Sequence, residues 1–169
     1  MSAASNRPEE DAATLCRRYV EEFLGTGDAS VAEELLDERV VAHQLGVERD
    51  LLGRDAVVEQ ILAFRNAVPD WTLVVEDVAA DGDTVMLRLT ARGTPEHAWG
   101  KLVPTGKSFE AAAFFAFRVE GDRIVEQWNL VNLAGVGRQL GLMPPTPRAL
   151  VAMARHRLSR RLDRRPSTG

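Results

Sequence analysis

The clearest pattern in the sequence is a pair of alternating stretches joined by a short polar turn. Within residues 107–119, six apolar side chains occupy alternate positions and so share one face: Phe109, Ala111, Ala113, Phe115, Phe117 and Val119. Because successive side chains of a strand point to opposite faces, this alternation predicts a strand. Glu120-Gly121-Asp122-Arg123 follows it, and Gly121 can adopt the positive φ that a tight turn requires. The pattern therefore predicts a β-hairpin whose second strand begins at Ile124.

A continuous register across this turn predicts which side chains face each other. Val119 is then opposite Ile124, with these further pairs: Phe117 and Glu126, Phe115 and Trp128, Ala113 and Leu130. One face of the hairpin would hold large apolar side chains with two polar members: Phe109, Phe115, Phe117, Trp128, Leu130, Glu126 and Asn132. Such a face suits a small-molecule pocket, and it is equally typical of core packing with solvated polar groups at the strand ends.

Helical spacing dominates the first third of the chain, and strand alternation dominates the rest. Apolar residues recur at helical spacing over residues 9–24, 28–36 and 53–66. Asp70-Trp71 begins a further strand, and Asp81-Gly82-Asp83 marks a hairpin into residues 84–93. In that strand, two sets of alternating residues predict two faces, namely Val85, Leu87, Leu89 and Ala91 against Met86, Arg88, Thr90 and Arg92.

Length and composition indicate one globular domain. The chain has 169 residues, of which 45% are hydrophobic and 27% are charged, as in ordinary soluble proteins with a single core. We predict a disordered leader over residues 1–8, the domain over 9–143, and a Pro-rich linker with a basic helical tail over 144–169. Cys16 is the only cysteine, which excludes an intramolecular disulfide. The sequence shows neither a signal peptide nor a stretch of membrane-spanning length, and it indicates a cytoplasmic protein.

Charge is distributed unevenly along the chain. Residues 1–145 carry 24 acidic and 14 basic side chains, whereas residues 146–169 carry seven arginines and one aspartate. An acidic body argues against a nucleic-acid groove in the domain. The basic tail has the composition of segments that bind anionic membranes or nucleic acids. Docking on the acidic body of its own dimer is the interpretation we favour, and we expect neither a nucleic acid nor a membrane as partner.

The closing stretch EGDRIVEQWNLVNLAGVGRQLG resembles the SnoaL-like polyketide cyclases, the ester cyclase branch of the nuclear transport factor two-like superfamily. Members end in an acidic-Gly turn, a strand bearing Trp, and a leucine-rich turn closing on Gln-Leu-Gly. Gly93-Thr94, Trp99-Gly100 and the PTGK stretch of residues 104–107 are similar to the middle of that family, and the likeness spans roughly residues 10–141.

This resemblance implies a fold and an activity. The expected fold is a single α+β domain, a cone in which a curved, mostly antiparallel sheet and N-terminal helices enclose a pocket. The expected activity is ring closure within a polyketide-like or polycyclic substrate, without a metal or organic cofactor. Relatives commonly pair through the outer sheet face, and the apolar character of both faces of residues 107–119 fits such a homodimer.

The resemblance also indicates where chemistry would take place. The family's catalytic aspartate lies four residues after the tryptophan of the last strand, and this chain has Asn132 there. An amide cannot exchange a proton as a carboxyl group does, so the relay would pass to Glu126, Asp77 or His43. We expect Glu126 to be the substitute, because the predicted register points it into the pocket beside Phe117. Asn132 would donate a hydrogen bond to an oxyanion, and His43 has either a pocket role or a structural hydrogen bond.

Six further residues complete the predicted substrate site: Trp128, Phe115, Phe117, Trp71, Arg88 and Trp99. Two of them have alternative interpretations, since Arg88 is either a buried or a solvated cation, and Trp99 is either an aromatic lid or a surface-packing residue. Two alternatives to the cyclase also stay open: an epoxide-opening ether cyclase or hydrolase, and a non-catalytic binding or assembly module of the same fold.

Overall fold

The computed structural model describes residues 7–44, 49–143 and 147–163. Most of the predicted leader and residues 144–146 of the predicted linker lie outside these ranges. The described helices are α1 (Arg7–Arg18), which continues as a π-helical segment (Tyr19–Leu24), α2 (Ala29–Leu35), α3 (Arg54–Ala67), α4 (Leu133–Gln139) and α5 (Pro147–Asp163). The helix predicted for the basic tail is therefore present as α5.

The strands of the described chain form one open, mixed sheet. They are β1 (Leu36–Gln44), β2 (Leu51–Leu52), β3 (Thr72–Asp81), β4 (Thr84–Gly93), β5 (Phe109–Glu120) and β6 (Arg123–Val131). Their spatial order is β2-β1-β6-β5-β4-β3. The β1–β6 pair is parallel, and the other described pairs are antiparallel. The predicted α+β domain with a mostly antiparallel sheet is confirmed.

α1 and its π-helical continuation cover one side of the sheet, which we call the inner face. Tyr19 and Phe23 are fully buried there, in one cluster with Leu87, Leu89 and Phe117. Apolar residues at helical spacing place one stripe of the helix on the sheet, and burying each large side chain contributes about 1.5–3 kcal/mol. The segment ends at its C-cap Gly25, whose backbone N–H donates to the carbonyl of Val20 at 2.8 Å. Gly27, at φ 86°, then turns the chain and donates its N–H to the carbonyl of Phe23 at 2.8 Å.

The opposite side of the sheet, the outer face, carries exposed apolar residues. Phe114 is 55% exposed and Met86 is 58% exposed, and Val74 and Leu130 are exposed on the same side. The predicted faces of β4 are confirmed, since Val85, Leu87, Leu89 and Ala91 are buried while Met86, Arg88 and Arg92 are exposed. The sheet therefore has one covered face and one open face in the single chain.

A second buried cluster closes the domain behind the last strand. Val136 and Leu140 of α4 pack with Ala67, Val68 and Phe109, together with Ala111. The side chain of Gln139 makes two hydrogen bonds to the backbone of Glu110, which fasten α4 to the edge of β5. The predicted Gln-Leu-Gly closing turn is thus a short helix anchored by apolar packing and by an amide side chain.

Candidate functional site

A β-bulge in β6 decides which side chains reach the inner face. Val119 pairs with Ile124 as predicted, but Arg118 pairs with Glu126, so Val125 is an extra residue. A one-residue shift moves every later side chain to the opposite face. The predicted register beyond Ile124 is therefore wrong, and Phe117 is opposite Gln127 rather than Glu126.

The shift places Gln127, Asn129 and Val131 on the inner face. Gln127 is buried, whereas Asn129 and Val131 are half-buried opposite Phe115 and Ala113. Val131 packs against both buried clusters of the domain. We call Tyr19, Phe115, Gln127, Asn129 and Val131 the inner strip. It combines apolar area with a small number of neutral polar groups, as small-molecule sites do.

Two polar groups of the inner strip are buried without a hydrogen-bond partner among the described residues. These are the hydroxyl of Tyr19 and the amide oxygen of Gln127. Burial raises the pKa of the Tyr19 phenol, while the neighbouring Gln127 amide opposes that shift. The two groups are thus close together without reaching hydrogen-bond geometry. The phenol stays protonated at neutral pH and is able both to donate and to accept a hydrogen bond.

Further aromatic side chains lie on the inner side of the sheet, outside the inner strip. Phe64 of α3 packs edge-on against Trp71 at 4.8 Å and Trp99 at 5.1 Å between ring centroids. The indole N–H of Trp71 donates to the carbonyl of Leu24 at 3.1 Å. Three predicted substrate residues, Phe115, Trp71 and Trp99, are therefore half-buried on the helix side of the sheet.

The other predicted substrate residues lie elsewhere. Phe117 is 1% exposed and packs edge-on against Tyr19 at 5.7 Å, so it is a core residue. Arg88 is a solvated cation on the outer face, with an ion pair to Asp77 at 2.6 Å. Trp128 lies on the outer face because of the bulge, and its predicted position on the inner face is wrong.

His43 and Glu126 meet on the outer face in a continuous chain of charged groups. His43 Nδ1 lies 2.9 Å from Asp50 Oδ2, and Nε2 lies 2.8 Å from Glu126 Oε1. Arg118 pairs with the second oxygen of Glu126 at 2.8 Å. We call Asp50, His43, Glu126 and Arg118 the outer relay. The parallel β1–β6 pair brings His43 beside Trp128, and the β5–β6 pair places Arg118 opposite Glu126.

The outer relay favours the protonated, positively charged form of His43. The hydrogen bond to Glu126 raises the pKa of His43, partial burial opposes this, and the hydrogen bond to Asp50 adds to the rise. The imidazole also stacks on Trp128 at 5.1 Å, and the Arg118 guanidinium lies 5.6 Å from the centre of the Trp128 ring. The side chains of His43 and Glu126 keep 25% and 24% exposure, so the pair can exchange protons with solvent.

Asn132 does not join this group. It is the N-cap of α4, and its side-chain oxygen accepts a hydrogen bond from the backbone N–H of Gly135 at 2.9 Å. Glu126 precedes it by six residues along an extended chain, a separation of roughly 20 Å. The predicted face shared by Asn132, Glu126 and Phe117 does not form.

Sequence reasoning missed Tyr19, Gln127 and Asn129 for two reasons. Tyr19 belongs to an apolar helical stripe and resembles any core residue in that pattern. Gln127 and Asn129 fall on the wrong face unless the bulge is recognised. The available signal was the adjacent apolar pair Ile124-Val125, which interrupts strict alternation immediately after the turn.

The described ranges contain neither a cluster of metal ligands nor a membrane-spanning helix. No three His, Cys, Asp or Glu side chains within them converge as metal ligands. None of the helices described there is both long enough and apolar enough to cross a membrane. The expectation that the reaction needs no cofactor stays a prediction.

The open sheet with helices packed on its inner face defines the class of protein as an α+β domain of ketosteroid isomerase-like fold. A protein of that fold from Catenulispora acidiphila DSM 44928, solved with trimethylamine, superposes with a TM-score of 0.63 at 15% identity, over 76% of this chain and 92% of that one. A protein assigned as a SnoaL-like polyketide cyclase from Jannaschia sp. CCS1 superposes with a TM-score of 0.73 at 15% identity, over 83% and 96% of the two chains. At such identities these likenesses concern the fold alone.

The family follows from the sequence itself. The model of the SnoaL-like polyketide cyclase family matches residues 14–140, and the chain belongs to this family. IdmH of Streptomyces antibioticus, assigned as a polyketide cyclase, is 28% identical and superposes with a TM-score of 0.68 over 77% of this chain and 98% of that one. No curated protein is significantly similar to the sequence. The resemblance inferred from residues 10–141 is confirmed.

Proposed function

We propose that the protein is a cyclase of natural-product biosynthesis, which closes a ring within a polyketide-like molecule bound on the inner face. The observation that supports this best is the unpaired Tyr19 hydroxyl beside the unpaired Gln127 amide oxygen. Buried polar groups in native proteins nearly always have hydrogen-bond partners, so such a pair points to a ligand or water that completes it. A keto or hydroxyl group of the substrate would supply that partner.

The inner strip fits an aldol-type closure. In this reaction an enol carbon attacks a carbonyl carbon of the same molecule, and a C–C bond forms as the π bond of the attacked carbonyl breaks. The enol hydroxyl loses its proton and becomes a ketone, while the attacked oxygen gains negative charge and then takes up a proton, so that no proton is gained or lost overall. The protonated phenol of Tyr19 and the amide N–H of Asn129 are donors suited to that oxygen. The half-buried rings of Phe115 and Trp71 would fold the chain so that the reacting carbons meet, and positioning of this kind supplies much of a rate enhancement.

The acid-base roles of Glu126, His43 and Asn132 stay predictions. His43 and Glu126 form an acid-base pair at 2.8 Å, but on the opposite side of the sheet from Tyr19. They would serve a substrate that reaches the outer edge of β1. Asn132 caps a helix, and a cap contributes stability rather than proton transfer. We therefore propose the inner strip as the reaction site and the outer relay as a support of the β1–β6 pair.

A panel assay tests this assignment. Linear and polycyclic polyketide ketones are incubated with the protein, and chromatography with mass spectrometry detects a product of unchanged mass or of one water less. Tyr19→Phe should lower kcat about 10²-fold, which is the scale of one oxyanion donor. Arg88→Gln, on the outer face, is the matched control and should leave kcat unchanged. A loss confined to Glu126→Gln and His43→Gln, with Tyr19→Phe fully active, would refute the proposal.

A non-catalytic binding module is the second candidate function. The observation that favours it is chemical: β6 and the residue that follows it offer the amides Gln127, Asn129 and Asn132 where an acid-base carboxylate would be needed. The module would bind the same small molecules without converting them. Saturable binding of a polyketide ketone with no product, across the whole panel, would decide for the module.

We also propose that two copies of the chain pair through the outer face. Phe114 and Leu130 are neighbours in the register, and Met86 is next to Ala116 on the adjoining strand, so the exposed apolar side chains form one patch. Contiguous apolar patches of this kind mark interaction surfaces. Light scattering should give twice the chain mass, and Phe114→Glu should shift it to the mass of one chain. A wild-type monomer at micromolar concentration would contradict the pairing.

A further inference from the structure

A strongly polar cleft lies at the start of β6, the end opposite to Asn129 and Val131 of the inner strip. It has a volume of about 460 Å³ and is lined by Asp37, Glu38, Arg39, Arg54 and Arg123. These residues come from the start of β1, the first turn of α3 and the first position of β6. We call it the arginine cleft. Its volume is within the usual range of small-molecule sites.

Two arginines of the cleft are fixed by the same backbone oxygens. Nη1 of Arg54 and Nη1 of Arg123 each lie 3.1 Å from the carbonyl oxygen of Glu33. The same two nitrogens lie 3.5 Å and 3.1 Å from the carbonyl oxygen of Leu36. The carbonyls of Glu33, in the last turn of α2, and of Leu36, the C-cap of that helix, therefore hold two guanidinium groups side by side. Each guanidinium has five N–H donors, and these contacts occupy only one nitrogen of each.

The carboxylates of the cleft compensate this charge incompletely. Asp37 accepts a hydrogen bond from the backbone N–H of Arg39 at 2.8 Å. The side chain of Glu38 is 84% exposed and approaches Arg54 only to 3.8 Å. Within the described part of the chain, the guanidinium of Arg39 has neither an ion pair nor a hydrogen bond. In the cleft lining, three guanidinium groups thus face two carboxylates, one turned back to the backbone and the other extended into solvent. Glu34, outside the lining, also interacts with the charge of Arg123, but its carboxylate is hydrogen-bonded to Arg18 at 2.6 and 2.7 Å.

We propose that the arginine cleft binds a phosphate group of a small molecule. Guanidinium groups match phosphate oxygens in paired hydrogen bonds, and these charge-assisted bonds are about twice as strong as neutral ones. Because Arg54 and Arg123 bond to the same two carbonyl oxygens, their positive charges lie close together and repel each other. A phosphate dianion bound between them would reduce this repulsion. A carboxylate carries one negative charge, so it would leave more of this repulsion in place. The cleft is roughly 20 Å from Asn129 along β6, so the phosphate site is separate from the inner strip.

The test measures binding of inorganic phosphate to the full chain by titration calorimetry and by thermal unfolding. Phosphate should bind saturably to one site and raise Tm, whereas sodium chloride at the same ionic strength should not. Acetate should bind more weakly than phosphate. Arg39→Gln should weaken phosphate binding about tenfold or more, the scale of one hydrogen bond to a charged group. Its side chain makes no contact that α2 depends on, so this variant should fold normally.

Arg17→Gln is the matched control, because Arg17 is an exposed arginine of α1 in an ordinary pair with Glu21. It should bind phosphate as the wild type does. Arg54→Gln and Arg123→Gln should abolish binding, with circular dichroism to confirm their fold. Equal phosphate affinity in Arg39→Gln and Arg17→Gln would overturn the proposal. A rise in Tm that sodium chloride reproduces would overturn it as well.

Discussion

The two faces of the sheet differ in whether their polar groups have partners. On the outer face, charged side chains are paired, as in the outer relay and in the ion pairs of Arg88 with Asp77 and of Arg92 with Glu110. On the inner face, the hydroxyl of Tyr19 and the amide oxygen of Gln127 are buried without a hydrogen-bond partner among the described residues. A satisfied network is complete without a ligand, whereas an unsatisfied pair is not. This difference is the reason we propose the inner face as the substrate site.

Two phenylalanines of β5 show the same difference between the faces, and they give the largest predicted effect on stability. Phe117 points inward and is 1% exposed, whereas Phe114 points outward and is 55% exposed. Phe117→Ala should lower the free energy of unfolding by about 3–5 kcal/mol, since it removes a packed core ring. Phe114→Ala should change it by about 0.5 kcal/mol or less in the monomer. Urea unfolding at low protein concentration measures both, and equal losses would erase the distinction between the faces.

Tyr19→Phe, on the inner face, should raise the free energy of unfolding, which would strengthen the distinction between the two faces. Its hydroxyl has no partner among the described residues, so burying it costs desolvation without a compensating hydrogen bond. Replacing it by hydrogen should raise the free energy of unfolding by about 1 kcal/mol, even as activity falls. Thermal unfolding beside the panel assay measures both quantities. A clear loss of stability would show that the hydroxyl is already satisfied in the free protein.

Asn132→Ala should lower stability by about 1 kcal/mol, since it removes the hydrogen bond that caps α4. Asn132→Asp preserves an acceptor at the same position and should be nearly neutral. Urea unfolding of the two variants gives the comparison. If Asn132→Ala abolished turnover while unfolding as the wild type does, Asn132 would act in the chemistry and not as a cap.

The smallest effect concerns pH and the outer relay. Because the pKa of His43 is raised in the folded state, protonated His43 contributes stability that is fully present below its unfolded pKa of about 6.5. That contribution is lost as pH rises through the folded value. Asp50, Glu126 and, through Glu126, Arg118 are the charged groups that face it. The stability difference between wild type and His43→Gln should therefore be larger at pH 6 than at pH 8, and an unchanged difference would count against the relay.

The sequence carries enough local information to predict the hairpins and the faces of β4. Glycine turns at Gly82 and Gly121 adopt the positive φ that their positions require, and alternation assigns Val85 and Leu87 to the core. The bulge at Val125 was not predicted, because one extra residue changes little in the local pattern and yet reverses every face after it. The bulge changes the candidate site directly, because it places Gln127 instead of Glu126 on the inner face opposite Phe117.

Contacts between segments far apart in the chain are the second feature that could not be predicted from the sequence. His43 and Glu126 are 83 positions apart, and they meet only because β1 joins β6 in parallel. Strand order is a property of the whole chain, and no local pattern specifies it. For the same reason, nothing in the sequence around Arg54 indicated that it would share its acceptors with Arg123.

The most direct test of the account compares the two faces in one titration. A hydroxylated anthraquinone is added to isotope-labelled protein, and nuclear magnetic resonance follows the side-chain amides of Gln127 and Asn129 together with the imidazole of His43. If the inner face is the binding site, the two amide signals shift and saturate at one ligand per chain, while the imidazole signal stays in place. A shift of the imidazole with unmoved amides would place the ligand on the outer face and contradict the account.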